Sequence, residues 1–209
     1  MKKLFKNIAL LFLVLFIGYN SVYFRRLKDQ QSKEEKVDAA AYADRYFRNQ
    51  LVPLSDSAIQ ITDLLALLKS NKEEAFQRYG HALGIGSIRY FLIRGEGKVT
   101  AVDANQVAVQ LPSDTSGGAL TIATEFVFGN AIRDAGGKLS LTEFSNLSDV
   151  NNISMELNKI VRTQILPPFK KAVAAGRNVR FYGAVELNQE RLDLNKIEII
   201  PIQLHVITQ

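Results

Sequence analysis

The hydrophobic period changes once along this chain, and that change restricts the folds open to it. From Asp38 to about Gly80 apolar residues recur every third or fourth position, and from Ile88 they recur every second position. A chain written this way builds helices first and a sheet afterwards. The expectation is an α+β protein in which a small helical part precedes the strands.

Within the helical part, Ala39, Tyr42 with Ala43, Tyr46 with Phe47, and Gln50 with Leu51 share one face. Pro53 is expected to end or kink this helix. Ile61, Leu64, Leu65, Leu67 and Leu68 predict a second helix, with Thr62 or Asp63 able to cap it. Asn71 can cap a third, KEEAFQRY, which Gly80 is placed to stop.

The alternating part begins at Ile88, Tyr90 and Leu92, whose neighbours Arg89, Phe91 and Ile93 face the other way. Gly95 and Gly97 interrupt this long strand where it would bend to serve two halves of a curled sheet. Val107, Val109 and Leu111 form a second run, and Leu120, Ile122, Thr124, Phe126 and Phe128 a third. Val179 to Leu187 and Ile197 to Val206 complete the set, and Pro201 marks an edge or a bulge in the last. One clear helix, about Asp149 to Ile165, separates the third and fourth strands, and Pro167 and Pro168 are expected to stop it. The order β-β-β-α-β-β is that of the OB-fold, a small partly open five-stranded barrel with a helix between strands 3 and 4. A flat five-stranded sheet is the alternative. The expected division is a helical subdomain over 38–87 and an OB-like α/β domain over 88–209.

The N-terminus is of a different kind. Lys2, Lys3 and Lys6 precede an apolar run from Ile8 to Ile17, and Arg25, Arg26 and Lys28 follow it. Of 26 Lys and Arg against 21 Asp and Glu, six and one lie in residues 1–30, leaving 20 of each in the rest. The whole excess of +5 therefore belongs to this segment. A positive start and a short apolar stretch describe an export signal. No small-residue pair suited to signal peptidase follows it, so residues 1–28 are read as an uncleaved signal anchor crossing the membrane over 8–24, with 29–37 as linker. A cleaved signal peptide and a buried N-terminal helix are the alternatives. Basic residues flank both sides of the run and give little positive-inside asymmetry, but the export-type start favours a single-pass protein of the bacterial cytoplasmic membrane with its N-terminus inside and its body outside, on the periplasmic side. A body balanced in charge argues against nucleic acid as a partner.

Signatures of catalysis are sparse. The sequence has no Cys, so it offers no disulfide, no thiolate metal site and no lipidation thiol. It has two histidines far apart, no G-x-S-x-G, and no metal-ligand spacing, so no catalytic or metal-binding residue and no cofactor is assigned. Two segments stand out. The glycine-rich YGHALGIGS, Tyr79 to Ser87, carries His81 at the junction between helices and strands, but it precedes a strand instead of joining a strand to a helix, so it is no dinucleotide loop. In GNAIRDAGG, Gly129 to Gly137, Asn130, Arg133 and Asp134 fall within one helical turn, a forked donor beside an acceptor. His81, Asn130, Arg133 and Asp134 are the candidate ligand-binding residues. Turns and an internal Arg–Asp pair are the plain structural reading of the same residues.

Several strings, in order, resemble an uncharacterised bacterial family: AYADRYF, FQRYGHALGIGS, FLIRGEGKV, FGNAIRDA, ELNKIVRTQILPPF and FYGAVELN. The family is the domain of unknown function described as predicted periplasmic lipoproteins, often encoded beside sugar ABC transporters. The resemblance spans about residues 38–204. It implies a helical subdomain with an OB-like domain and an extracytoplasmic, membrane-attached protein, and it supplies no catalytic residues. The missing Cys departs from the lipoprotein label. The expectation is a non-catalytic binding or accessory protein, with sugar ABC transporter components or a small solute as partner. A periplasmic hydrolase with its site at the subdomain joint is the alternative.

Overall fold

The structure, a computed structural model, describes residues 6–8, 10–19, 37–112 and 119–207. It divides into two compact units, Met1–Val37 and Asp38–Gln209. In the first, residues 6–8 and 10–19 are helical, and Leu10 to Ile17 are exposed apolar side chains. Among the described residues no helix is long and apolar enough to cross a membrane. The span expected over 8–24 takes in residues 9 and 20–24, which lie outside the described residues.

The second unit opens with α1, Ala39–Tyr46, where the Asp38 carboxylate accepts from the Ala41 N–H at 3.0 Å and so caps the first turn. Pro53 does not end this helical path. The chain widens into a π-helical turn, Phe47–Leu51, and continues as α2, Val52–Ser55, with the proline in the first turn of α2. A wider turn changes the hydrogen-bond step ahead of the ring, which accommodates a residue that has no N–H to give. Beyond it, β1 (Ile59–Gln60) leads into α3 (Ile61–Ser70), whose cap position is Gln60 and not Thr62 or Asp63. Asn71 caps α4, Lys72–Tyr79, by accepting from the Glu74 N–H. Gly80 then turns extended into β2, Gly80–His81.

β3, Ile88–Val102, is the backbone of the sheet. It pairs with β6 (Asn178–Asn188) from Ile88 to Lys98, and with β4 (Gln106–Gln110) from Lys98 to Val102. One strand thus serves two neighbours in succession, and the handover falls at Gly97 and Lys98. A Cβ on Gly97 would lie 2.4 Å from Val109 Cγ1, so only glycine lets β4 approach there. β4 pairs with β5 (Ala119–Ala123), β5 runs parallel to β7 (Lys196–Ile207), and β7 returns to β6. The pairings β3–β4–β5–β7–β6–β3 close a circuit. Pro201 sits opposite Gly183 where the β6–β7 register shifts, which removes the need for its missing N–H.

The third alternating run is shorter than its sequence suggests. β5 ends at Ala123, and Phe126 and Phe128 are exposed in the following loop, with Val127 buried between them. The guanidinium of Arg162 lies over the Phe128 ring and donates to the Val127 carbonyl, so this loop is held by the helix beyond it. α5, Ala131–Ala135, precedes α6, Leu147–Ile160. Pro167 and Pro168 behave as Pro53 does: a π-helical turn, Val161–Ile165, carries the path into α7, Leu166–Ala172, which contains both.

The core collects Ile61, Leu64 and Leu68 of α3, Phe76 of α4 and Phe169 of α7 against Phe91, Ile93, Ile122, Phe181 and Ile199 of the strands. Phe76 meets Phe91 edge to face at 5.2 Å. Full burial of Phe91 and Phe181 contributes about 1.5–3 kcal/mol each. Helices α3, α4 and α7 therefore share one apolar interior with the strands.

Candidate functional site

α5 is short and buried from end to end, charged residues included. Its position requires Arg133 and Asp134 to find partners inside the protein, and they find each other. Arg133 Nε donates to Asp134 Oδ1 at 2.5 Å and Nη2 to Oδ2 at 3.1 Å, with 6% and 3% of the side chains exposed. Nη1 donates to Ser154 Oγ at 2.9 Å, and Ser154 in turn donates to Asn130 Oδ1 at 3.2 Å. Asn158 of α6 donates to the Gly129 carbonyl at 2.8 Å, and Tyr46 of α1 donates its hydroxyl to the Arg133 carbonyl at 3.1 Å. Asn130, Arg133 and Asp134 thus come together as a polar pin between α1, α5 and α6. The fork and Ser154 commit the guanidinium to partners inside the protein, and each Asp134 oxygen accepts from it.

His81 reaches the same neighbourhood by another route. It stands on β2 opposite Tyr90, with its ring against Gly137. Gly137 has φ +60, and a Cβ there would fall 2.6 Å from His81 Nδ1, so the close approach and the left-handed backbone both require glycine. The two sequence segments therefore meet through His81 and Gly137. Burial, and after it the positive charge of Lys138, hold the imidazole below its ordinary pKa of 6.5.

Next to this junction lies a cavity of about 290 Å³ that the sequence reading did not single out. Its apolar wall is made of Tyr42 and Tyr46, one helical turn apart on α1 with ring centroids 6.3 Å apart. Asn49 and Gln50, carried on the π-helical turn, supply amides to the wall, and Arg45, Lys138 and Glu143 supply charge. Tyr42 donates its hydroxyl to Glu143 at 3.1 Å. Burial, then the bond to Glu143 and its charge, push the Tyr42 phenol up to about 12. Burial foremost, then Tyr42 and the Asp134 carboxylate, push Tyr46 higher still. Both phenols therefore remain donors at neutral pH. The one sequence sign of this cavity was polar Arg45, Asn49 and Gln50 beside aromatic Tyr42 and Tyr46. Their spacing, i, i+3, i+4, i+7 and i+8, puts them on one helical face, and Lys138 and Glu143 close the wall from far along the chain.

Among the described residues no group of three or more His, Asp or Glu is placed to hold a metal ion. A family model described as "Predicted periplasmic lipoprotein (DUF2291)" matches residues 12–205. The structure resembles the crystal structure of an OB-fold protein from Thermotoga maritima MSB8, with a TM-score of 0.73 and 25% identity, covering 83% of this chain and 100% of that one. No curated protein matches the chain.

Proposed function

The chain belongs to this family of predicted periplasmic lipoproteins, and from that premise we propose a non-catalytic binding module held on the outer side of the cytoplasmic membrane. Its ligand is a small hydroxylated solute of the sugar class, received in the cavity between α1 and Lys138. The observation that carries this reading is the composition of the wall. Tyr42 and Tyr46 offer apolar faces, while Asn49, Gln50, Arg45, Lys138 and Glu143 offer donors and acceptors. A sugar presents the same alternation of C–H faces and hydroxyls, and a cavity of about 290 Å³ is of the size that takes one ring.

Attachment is proposed through the apolar segment over 8–24. With no Cys in the sequence, the lipid anchor in the family's description has no thiol here. A solute of this class suits an accessory of a sugar ABC transporter, and such a transporter is the proposed partner. A hydrolase at the joint has less support, because Asp134 is clasped by Arg133 and buried.

The test is ligand-observed NMR of the full chain with pentoses and hexoses, together with co-purification of transporter subunits. Saturation transfer to at least one sugar, lost in Tyr42→Ala and in Asn49→Ala, supports the reading. Absence of transfer from every sugar, with no transporter subunit retained, overturns it.

A further inference from the structure

A second and larger cavity lies on the outer face of the sheet where β3 and β6 run side by side. We propose that it is a separate site for a small hydroxylated oxyanion, a carboxylate or a phosphate ester. Its volume is about 420 Å³, and its polar walls are Gln60, Thr62, Arg94, Glu96, Arg180 and Tyr182. The outward positions of β3 and β6 place both guanidiniums there, since Arg94 pairs across with Tyr182 and Glu96 with Arg180.

Arg94 is held in position by its own bond: Nη1 donates to the Asp56 carbonyl at 2.7 Å. Its Nε is enclosed without a hydrogen-bond partner. A cation in the wall of a cavity with part of its donor set unused is an arrangement that an anion completes. Arg180 bonds Glu96 through Nε at 2.6 Å, which orients its guanidinium and leaves Nη1 and Nη2. Two guanidiniums against one carboxylate leave the wall one positive charge, on a body whose charges sum to zero. Gln60, Thr62 and Tyr182 add neutral hydrogen-bonding groups suited to hydroxyls.

A second hollow continues along the same face past Glu96, Leu111 and Pro112, and brings in Lys98 and Asn178. Its added cation again favours an anion, and its length admits a ligand larger than a bare ion. The residues of this site are separate from Tyr42, Tyr46 and Lys138, so the two cavities are independently testable.

The experiment is calorimetric and NMR titration of the full chain with inorganic phosphate, glucuronate and, as the neutral counterpart, glucose. Glucuronate is expected to bind, with an affinity that falls as salt rises, and phosphate more weakly. The signals of Arg94, Arg180 and Tyr182 should move and that of Tyr42 should not. Arg94→Gln should weaken glucuronate binding about tenfold or more, which is about 1.4 kcal/mol. Because Arg94 also holds Asp56, the exposed Arg180→Gln is the second variant; it should weaken binding with an unchanged melting temperature. Binding of neither anion below about 1 mM, equal binding of glucose at these residues, or undiminished binding by Arg180→Gln would each overturn the proposal. Shifts confined to Tyr42 and Lys138 would also overturn it, while leaving the sugar site standing.

Discussion

Asp134 closes a two-point clasp on its own neighbour Arg133, Nε to Oδ1 at 2.5 Å and Nη2 to Oδ2 at 3.1 Å. Consecutive residues on a helix do not normally face one another. Here the long arginine folds back, because α5 is too short and too enclosed to offer another carboxylate. The clasp, Ser154 and Asn130 then tie α5 to α6.

Removing one half of the clasp leaves a charge buried and unpaired. Asp134→Asn and Arg133→Met should each lower stability by about 3–5 kcal/mol, whereas the double replacement Arg133→Met with Asp134→Leu should lose less than either. Urea denaturation of the four proteins measures this directly. Single variants within 1 kcal/mol of the parent would mean that the pair does not pin the helices.

The glycines make a sharper contrast. At Gly97 a Cβ would meet Val109 Cγ1 at 2.4 Å and the Gln110 carbonyl at 2.7 Å, and the second contact is backbone that cannot turn away. Gly84 has nothing within 4 Å. Gly97→Ala should therefore cost about 1–3 kcal/mol or more, and Gly84→Ala should stay within about 0.5 kcal/mol. Thermal melts of the two variants separate these outcomes. Equal melting temperatures would remove the argument that glycine sets the β3 handover.

That handover shows how far the sequence reaches. Two glycines in a long alternating run marked a strand that turns from one neighbour to another, because close backbone approach forbids side chains and so leaves a trace in composition. The alternating runs that become the long strands were legible for a similar reason, since each depends on a local period. The length of β5 was not. Phe126 and Phe128 continue the alternation of Leu120 and Ile122, yet their exposure is set by Arg162 and Lys170, distant residues that hold the loop. The π-helical turns were equally hidden, because a proline reads as a stop unless one turn ahead of it widens. The same limit applies to the site. Asn130, Arg133 and Asp134 do converge, but whether a forked pair faces a ligand or itself depends on burial, and the alternating charges of a short segment do not encode burial. Tyr42 and Asn49 share a helix face, but Lys138 and Glu143 lie too far along the chain to be read as part of the same wall.

The phenols at the joint give a titration that can be read by ultraviolet absorbance. Burial foremost raises the pKa of Tyr42 and Tyr90 to about 12, and that of Tyr46 further. Ionisation of these three should trail that of an ordinary tyrosine near 10. A raised acid contributes stability below its unfolded value that is lost as pH rises through the folded value. Stability should accordingly fall between about pH 10 and pH 12. Tyr42→Phe should delete one late component from the absorbance curve. A curve in which all seven tyrosines ionise together near 10 would contradict the enclosure of the α1 wall.

His81 shifts in the opposite sense. Burial against Gly137 comes first and repulsion from Lys138 second, and both disfavour the imidazolium, so its midpoint lies below 6.5. Below that pH the unfolded chain takes up a proton that the folded chain resists, so the unfolded state binds more protons and stability rises with pH. The contribution is therefore present above pH 6.5 and is lost as pH falls through the folded value. Proton NMR of the imidazole should show the depressed midpoint directly. Lys138→Gln should raise it only part of the way, because the larger cause is burial, and Gly137→Ala should displace the ring and return it further. A midpoint at 6.5 in the parent, or full recovery on removing the Lys138 charge alone, would show that packing against Gly137 does not shield the ring.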